Sequence, residues 1–169
     1  MRTSAALSRE ISENEDHAMI GILIIAHGTF GDSLIQCMTH LLGKRPDGIT
    51  SLQVTGTDDA HSLLPTAQRM VAAVDEGDGV LIITDIFGST PSNISSKLLV
   101  PGHVEGVAGA NVPMLVRAMT YRTRGMEMLL KRVVSGGCEG VFHIEADPIL
   151  GPQVARSPAN EGTPVLSRH

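Results

Sequence analysis

The sequence predicts an α/β domain built on a doubly wound, mainly parallel sheet with helices on both faces. Three observations lead there. The apolar runs are continuous rather than alternating, as strands covered on both faces require. The stretches between them place apolar residues at helical spacing. The two kinds of segment alternate along the chain, and repeated βα units with right-handed crossovers close into a parallel sheet.

The first strand is expected at 19–26, where Met19 to Ala26 is apolar but for Gly21, and the run ends on His27-Gly28. A helix follows over 31–43, with Leu34, Cys37, Met38, Leu41 and Leu42 on one side. Strand 49–55 leads into a helix at 60–75, whose stripe is Leu63, Leu64, Ala67, Met70, Val71 and Val74. Strands at 79–84 and 104–109 and helices at 90–99, 113–119 and 123–135 continue the alternation, and 140–144 reads as a short last strand. Pro91 and Pro113 suit first-turn positions, where the missing amide hydrogen costs nothing. The folded domain therefore spans 19–144. Residues 1–18 form a Ser- and Glu-rich arm and 145–169 a Pro-rich tail, both expected to be flexible.

Composition permits one such domain, with 42% apolar residues in 169. There is no Trp, and only one Tyr and three Phe, so Leu, Ile, Val, Ala and Met must fill the interior. A formal charge of −5 without a Lys/Arg cluster argues against nucleic acid. No apolar run reaches the roughly 18–20 residues of a membrane span, and the acidic amino terminus lacks a signal-peptide core, so a cytoplasmic location is expected. Cys37 and Cys138 lie far apart in apolar contexts and read as buried thiols, not as a disulfide or metal pair. The histidines besides His27 have no metal-ligand spacing, and no cofactor is implied.

Each strand end opens a loop at the carboxyl edge of the sheet, where ligands of open α/β sheets bind. Those loops are His27-Gly28-Thr29, then 55–59, then Asp85 to Asn93, then Ala110 to Met114. A polar His27 after Ile25-Ala26 is unexpected in a packing role, and Gly28 removes bulk beside it. Asp85 ends the third strand as His27 ends the first. If those strands are adjacent, the carboxylate can fix the imidazole tautomer and leave the other ring nitrogen as base or nucleophile. No Ser or Cys stands in a nucleophile-elbow context, so the imidazole itself is the candidate nucleophile. Thr90 reads as a helix N-cap, and the amides it precedes would favour a phosphoryl group beside His27 and Asp85. The bland alternatives are a loop histidine with one hydrogen bond, a turn aspartate and a threonine that only caps. Dinucleotide fingerprints and the P-loop lysine motif are missing, which argues against transfer from ATP.

A strand ending in Ala26-His27-Gly28, then Asp85-Ile86-Phe87-Gly88-Ser89-Thr90-Pro91-Ser92-Asn93, then Gly109-Ala110-Asn111-Val112-Pro113-Met114-Leu115 resembles the IIA domain of the mannose-family sugar phosphotransferase system. The resemblance covers 19–144. It implies that His27 accepts a phosphoryl group on Nε2 from the phosphocarrier protein HPr and passes it to a IIB partner. It also implies that Asp85 hydrogen-bonds the other ring nitrogen and that Thr90 supplies the hydroxyl before the helix proline. Gly28, Thr29, Gly88, Ser89, Asn93, Asn111, Pro113 and Met114 would then bind phosphoryl or shape the site. The family fold implies that 140–144 is an antiparallel last strand exchanged within a homodimer. The chain departs from the sugar-transporting pattern Gly-Gly-Ser-Pro at Gly88-Ser89-Thr90-Pro91, and Ile86 follows the aspartate, changes that keep a hydroxyl and the cap. The tail is too short for a fused IIB domain, so a separate IIB protein or a regulatory role in a phosphorelay is expected. The alternative is a non-phosphorylated regulatory or binding module of the same fold.

Overall fold

A computed structural model describes residues 19–145 of the chain. Strand β1 (Gly21–His27) is fully apolar and buried up to its last residue, and β2 (Ile49–Val54), β3 (Val80–Thr84) and β4 (Val104–Ala108) complete a four-stranded sheet in the order β2-β1-β3-β4. Every pairing between neighbouring strands is parallel. The order reverses at β1, because the chain runs outward to β2 and then crosses back to β3. This is the switch point at which open α/β sheets bind ligands.

Helices α1 (Phe30–Leu42), α2 (Ala60–Val74), α3 (Thr90–Ser96), α4 (Val112–Tyr121) and α5 (Met126–Glu139) cover both faces. Side chains of a strand alternate between faces, so β1 feeds two cores. Ile20, Ile22, Ile24 and Ala26 pack with α1, α4 and α5, while Leu23 and Ile25 pack with α2 and α3. Continuous apolarity in β1 is thus explained by burial on both sides. Among the described residues no helix is long and apolar enough to cross a membrane.

Several elements differ from the sequence expectation. Within one protomer 140–144 pairs with no strand: α5 runs on to Glu139, and Phe142 and Ile144 are 79% and 91% exposed, as the free segment of an exchanged strand would be. The helix expected at 123–135 spans Met126–Glu139 instead and runs through Gly136-Gly137, which form an approach surface. A Cβ on Gly137 would lie 2.8 Å from Met114 Cε and one on Gly136 would lie 2.2 Å from Arg117 Cγ, so the tight α4–α5 contact carries the helix through both glycines. The cysteines are not buried thiols: both are free, Cys37 half-buried and Cys138 exposed, because each falls beside rather than on the apolar stripe of its helix. Helix α3 is shorter than expected, ending at Ser96. The N-terminal arm and all but the first residue of the tail lie outside the described residues.

At the opposite, amino edge of the sheet, the turn into β3 is closely fitted. Gly79 has φ +96°, and a Cβ there would stand 2.1 Å from the carbonyl oxygen of His103. Gly77 has φ +113° with open space around it. Gly77→Ala should cost about 1–2 kcal/mol of backbone strain. Gly79→Ala adds a clash with backbone and should cost about 3 kcal/mol or more. Urea unfolding of the two variants checks this, and equal losses would mean that the close approach carries no energy.

Candidate functional site

The site is built on two strand ends. β1 and β3 pair in parallel with Ile25 opposite Thr84, so Asp85, one residue past Thr84, and His27, two past Ile25, leave the sheet close together at the carboxyl edge. Oδ2 of Asp85 accepts two hydrogen bonds from His27, one from the backbone N–H at 2.8 Å and one from ring Nδ1 at 2.7 Å. Its Oδ1 accepts from the Ile86 N–H at 2.8 Å. Burial would push the Asp85 carboxyl up, but these bonds and the charge of the His27 ring outweigh it and hold the group below the ordinary carboxylate value. An ionised carboxylate only accepts. Nδ1 therefore carries the proton, and in the neutral ring the lone pair sits on Nε2. With the His27 side chain 50% exposed and that of Asp85 16%, the anchor is sheltered and the imidazole is open.

The neighbouring loops are tied down by backbone bonds. Gly28, at φ +52°, donates its N–H to Val54 O, and a Cβ there would meet nothing within 4 Å. Thr29 is the N-cap residue of α1 without a side-chain cap bond, and its carbonyl accepts from Ser33 N and Oγ. Gly109 and Ala110 both donate to Thr84 O, fastening the fourth loop to the strand that carries Asp85. Thr55 N and Oγ1 donate to Asp58 Oδ2, closing the loop after β2 on itself and lowering the Asp58 carboxyl.

The third loop corrects one sequence reading. Thr90 is the first residue of α3, not its N-cap. Ser89 takes the cap position in an extended conformation, with its carbonyl accepting from Asn93 N. Pro91 in the first turn, as expected, leaves the residue two before it as the boundary. The Ser89 hydroxyl does not cap either, since it donates to Ile86 O at 2.8 Å and so tightens the loop around Gly88, at φ +81°. Asn93 is exposed on α3. The fourth-loop residues turn toward α5 instead of the imidazole. Asn111 caps α4 by accepting from Met114 N and donates Nδ2 to the carbonyls of Gly109 and Gly137. Pro113 faces Gly140, and Met114 is 4% exposed within the core. Of the expected constellation the structure thus joins His27 and Asp85 directly, and sets the others around or behind them.

Two further features went unread in the sequence. Ile86 and Phe87 stand 60% and 85% exposed next to Asp85, an apolar rim whose signal was an aromatic inside a Gly/Ser loop of a chain with only four aromatics. Asp32, in the first turn of α1, accepts from Ser51 Oγ and from Gln53 Nε2 at 2.5 Å, and its signal was a pair of polar residues two apart on β2.

With this geometry in view, comparison with known proteins is decisive at one point. The family described as the PTS system fructose IIA component matches residues 21–134. The chain belongs to that family. It is 29% identical over 152 residues to the PTS system mannose-specific EIIAB component of Escherichia coli strain K12, an alignment covering 83% of this chain and 47% of that protein. It spans about half the length of such curated relatives. It is 24% identical over 105 residues to the PTS system fructose-specific EIIA component of Bacillus subtilis, covering 62% of this chain and 71% of that one. A crystal structure of the phosphotransferase system component EIIA from Streptococcus agalactiae superposes with a TM-score of 0.66 at 26% identity, covering 74% of this chain and 97% of that one.

The Asp85 shift fixes a pH dependence. A carboxyl lowered on folding adds stability above its unfolded value of about 3.9 and loses it as pH falls through the lower, folded value. The Asp85 carboxyl carbon, followed by NMR, should therefore titrate below about 3.9, and Asp85→Asn should flatten the acid limb of the stability curve. A midpoint at or above the ordinary value would show that burial prevails over the His27 bonds.

Proposed function

We propose that this IIA-family chain is a phosphoryl carrier of a phosphoenolpyruvate-dependent relay. His27 Nε2 accepts the phosphoryl group of phosphorylated HPr and passes it to a IIB protein or holds it as a regulatory signal. The observation that carries the reading is the Asp85–His27 Nδ1 bond, which directs the free lone pair outward at the sheet's switch point. In the transfer that lone pair attacks phosphorus, a bond from Nε2 to phosphorus forms, and the phosphorus–nitrogen bond to the donor histidine breaks with its electron pair returning to the donor ring. Positive charge then grows on the His27 ring. Asp85, ionised and already hydrogen-bonded to Nδ1, stabilises that charge without reorganising.

Little covalent machinery is needed beyond positioning. The exposed Ile86 and Phe87, which follow Asp85 in the chain, favour a protein donor, since exposed apolar side chains on the loop that carries the anchor suit a docked surface better than a free anion. Gly88, Ser89, Thr90 and Asn93 from the third loop, with Gly28 and Thr29 from the first, are the residues we assign to the phosphoryl environment. Asn111, Pro113 and Met114 act behind them by holding the fourth loop and α4.

The test is incubation with phosphoenolpyruvate, Enzyme I and HPr, followed by mapping of acid-labile label. Label should sit on His27 and vanish in His27→Ala, and Asp85→Asn should slow transfer about 10²–10⁴-fold while the fold is kept. Label that persists in His27→Ala, or a wild type that never accepts it from the cognate HPr, overturns the reading. Quench-flow transfer to candidate IIB proteins then separates an uptake role from a relay sensor.

We further infer a homodimer in which the segment after α5 pairs with a partner's sheet. Among the described residues no strand neighbours the outer edge of β4, and Val141, Phe142 and Ile144 are exposed nearby in sequence to the end of α5. Light scattering should give twice the mass of the chain. A strictly monomeric mass at tens of micromolar counts against the exchange and leaves the carrier role standing.

A further inference from the structure

Strand β2 lies at an edge of the sheet, and its residues 49, 51 and 53 share the face covered by α1. Ile49 belongs to the core on that face, but Ser51 and Gln53, nearer the carboxyl edge, are polar. Both donate to Asp32, the third residue of α1. An acid at this helix position commonly folds back onto the N-cap amide. Here it reaches across to the sheet instead. Those two bonds hold the Asp32 carboxyl below its ordinary value, so the clasp is ionised at neutral pH.

The clasp has a neighbour that shows how closely the helix start is seated. A Cβ on Gly31 would stand 2.9 Å from Ser51 Cβ and 3.1 Å from Ile24 Cγ2, so the first turn of α1 rests directly on β1 and β2. Apolar residues would close this end of the interface by area alone. A carboxylate fixed by two directed donors also sets where the turn lies. Only four residues separate Asp32 from His27, and the first two are tied, Gly28 N to Val54 O and Thr29 O to Ser33. Any shift of the first turn is passed to the bend beside the imidazole.

We propose that Asp32 is a positioning residue: clasped by Ser51 and Gln53, it fixes the first turn of α1 and, through it, the Gly28–Thr29 bend that borders the open face of the His27 ring. It acts through geometry and not through its charge. The kinetic consequence rests on the carrier role of His27, whereas the structural consequence does not.

The experiment compares Asp32→Ala, Asp32→Asn, Ser51→Ala and the Asp32→Ala/Ser51→Ala pair in the full chain. In NMR spectra Asp32→Ala should move the His27 ring signals and the Gly28 and Thr29 amides, while Asp32→Asn leaves them near wild type. The asparagine can still accept from Ser51 and, once the Gln53 amide turns, donate to it. At saturating phosphorylated HPr, Asp32→Ala should lower the transfer rate about 10-fold with the half-saturating donor concentration unchanged, and adding Ser51→Ala should lower it no further. Unmoved His27, Gly28 and Thr29 signals in Asp32→Ala overturn the proposal, as does Asp32→Asn behaving like Asp32→Ala. If Asp32→Ala does not fold, a Ser51→Ala/Gln53→Ala variant removes both donors and is held to the same NMR outcomes. If wild type takes no label on His27, the carrier role fails, and the NMR comparison still decides the role of Asp32.

Discussion

One carboxylate oxygen organises the carboxyl edge of the sheet. Oδ2 of Asp85 receives both the backbone N–H and the ring N–H of His27, so a single group fixes where the residue sits and which way its imidazole faces. A bond to the ring alone would leave the backbone free to pivot, and one to the backbone alone would leave the ring free to rotate. The double acceptance works only because β1 and β3 are adjacent and in parallel register, which places two neighbouring strand ends within reach although they are 58 residues apart. Sheet topology is therefore part of the chemistry.

The rest of the fold supports this arrangement by confining polar groups to the edge. β1 and β3 are buried on both faces until their last turns, so the backbone that leads to His27 and Asp85 has no freedom to adjust. The loops beyond are then held by main-chain bonds to neighbouring strand ends: Gly28 to Val54, and Gly109 and Ala110 to Thr84. Such anchoring leaves side chains free to face outward. It holds the half-exposed His27 ring at one place on the edge.

Much of this was legible in the sequence, and the reasons are specific. Continuous apolar runs identified β1 and β3, and helical stripes identified α1 and α2, because burial on defined faces leaves a periodic record. His27 and Asp85 stood out as polar residues that interrupt such runs at their ends. What stayed hidden has no period. Gly136-Gly137 looks like a breaker until Met114 and Arg117 are seen to occupy the space a side chain would need. Whether Ser89 or Thr90 caps α3 depends on one backbone dihedral, and both residues are good caps. The exposure of Cys138 follows from its angular position on a helix whose extent the glycines obscured. The Asp32 clasp joins residues 19 and 21 apart, and no local pattern encodes that pairing.

A second histidine–aspartate pair shows what sets the first apart. At the amino edge His103 Nε2 bonds Asp75 Oδ2 at 2.6 Å, with side-chain exposures of 45% and 20%, nearly those of His27 and Asp85. Exposure and residue type therefore do not distinguish the two. The difference lies in what surrounds each pair. Asp75 spends its other oxygen on the amides of Gly77 and Gly79, so it staples the turn between α2 and β3, and its partner sits in the turn entering β4. That pair closes a junction between loops at the edge where no strand order reverses into a crevice. His27 instead follows a strand buried on both faces, has its own amide held by the carboxylate, and is followed by a glycine with open space around it. The same two side chains form a clasp at one edge and hold a half-exposed imidazole in a fixed orientation at the other, and the backbone that delivers them makes the distinction.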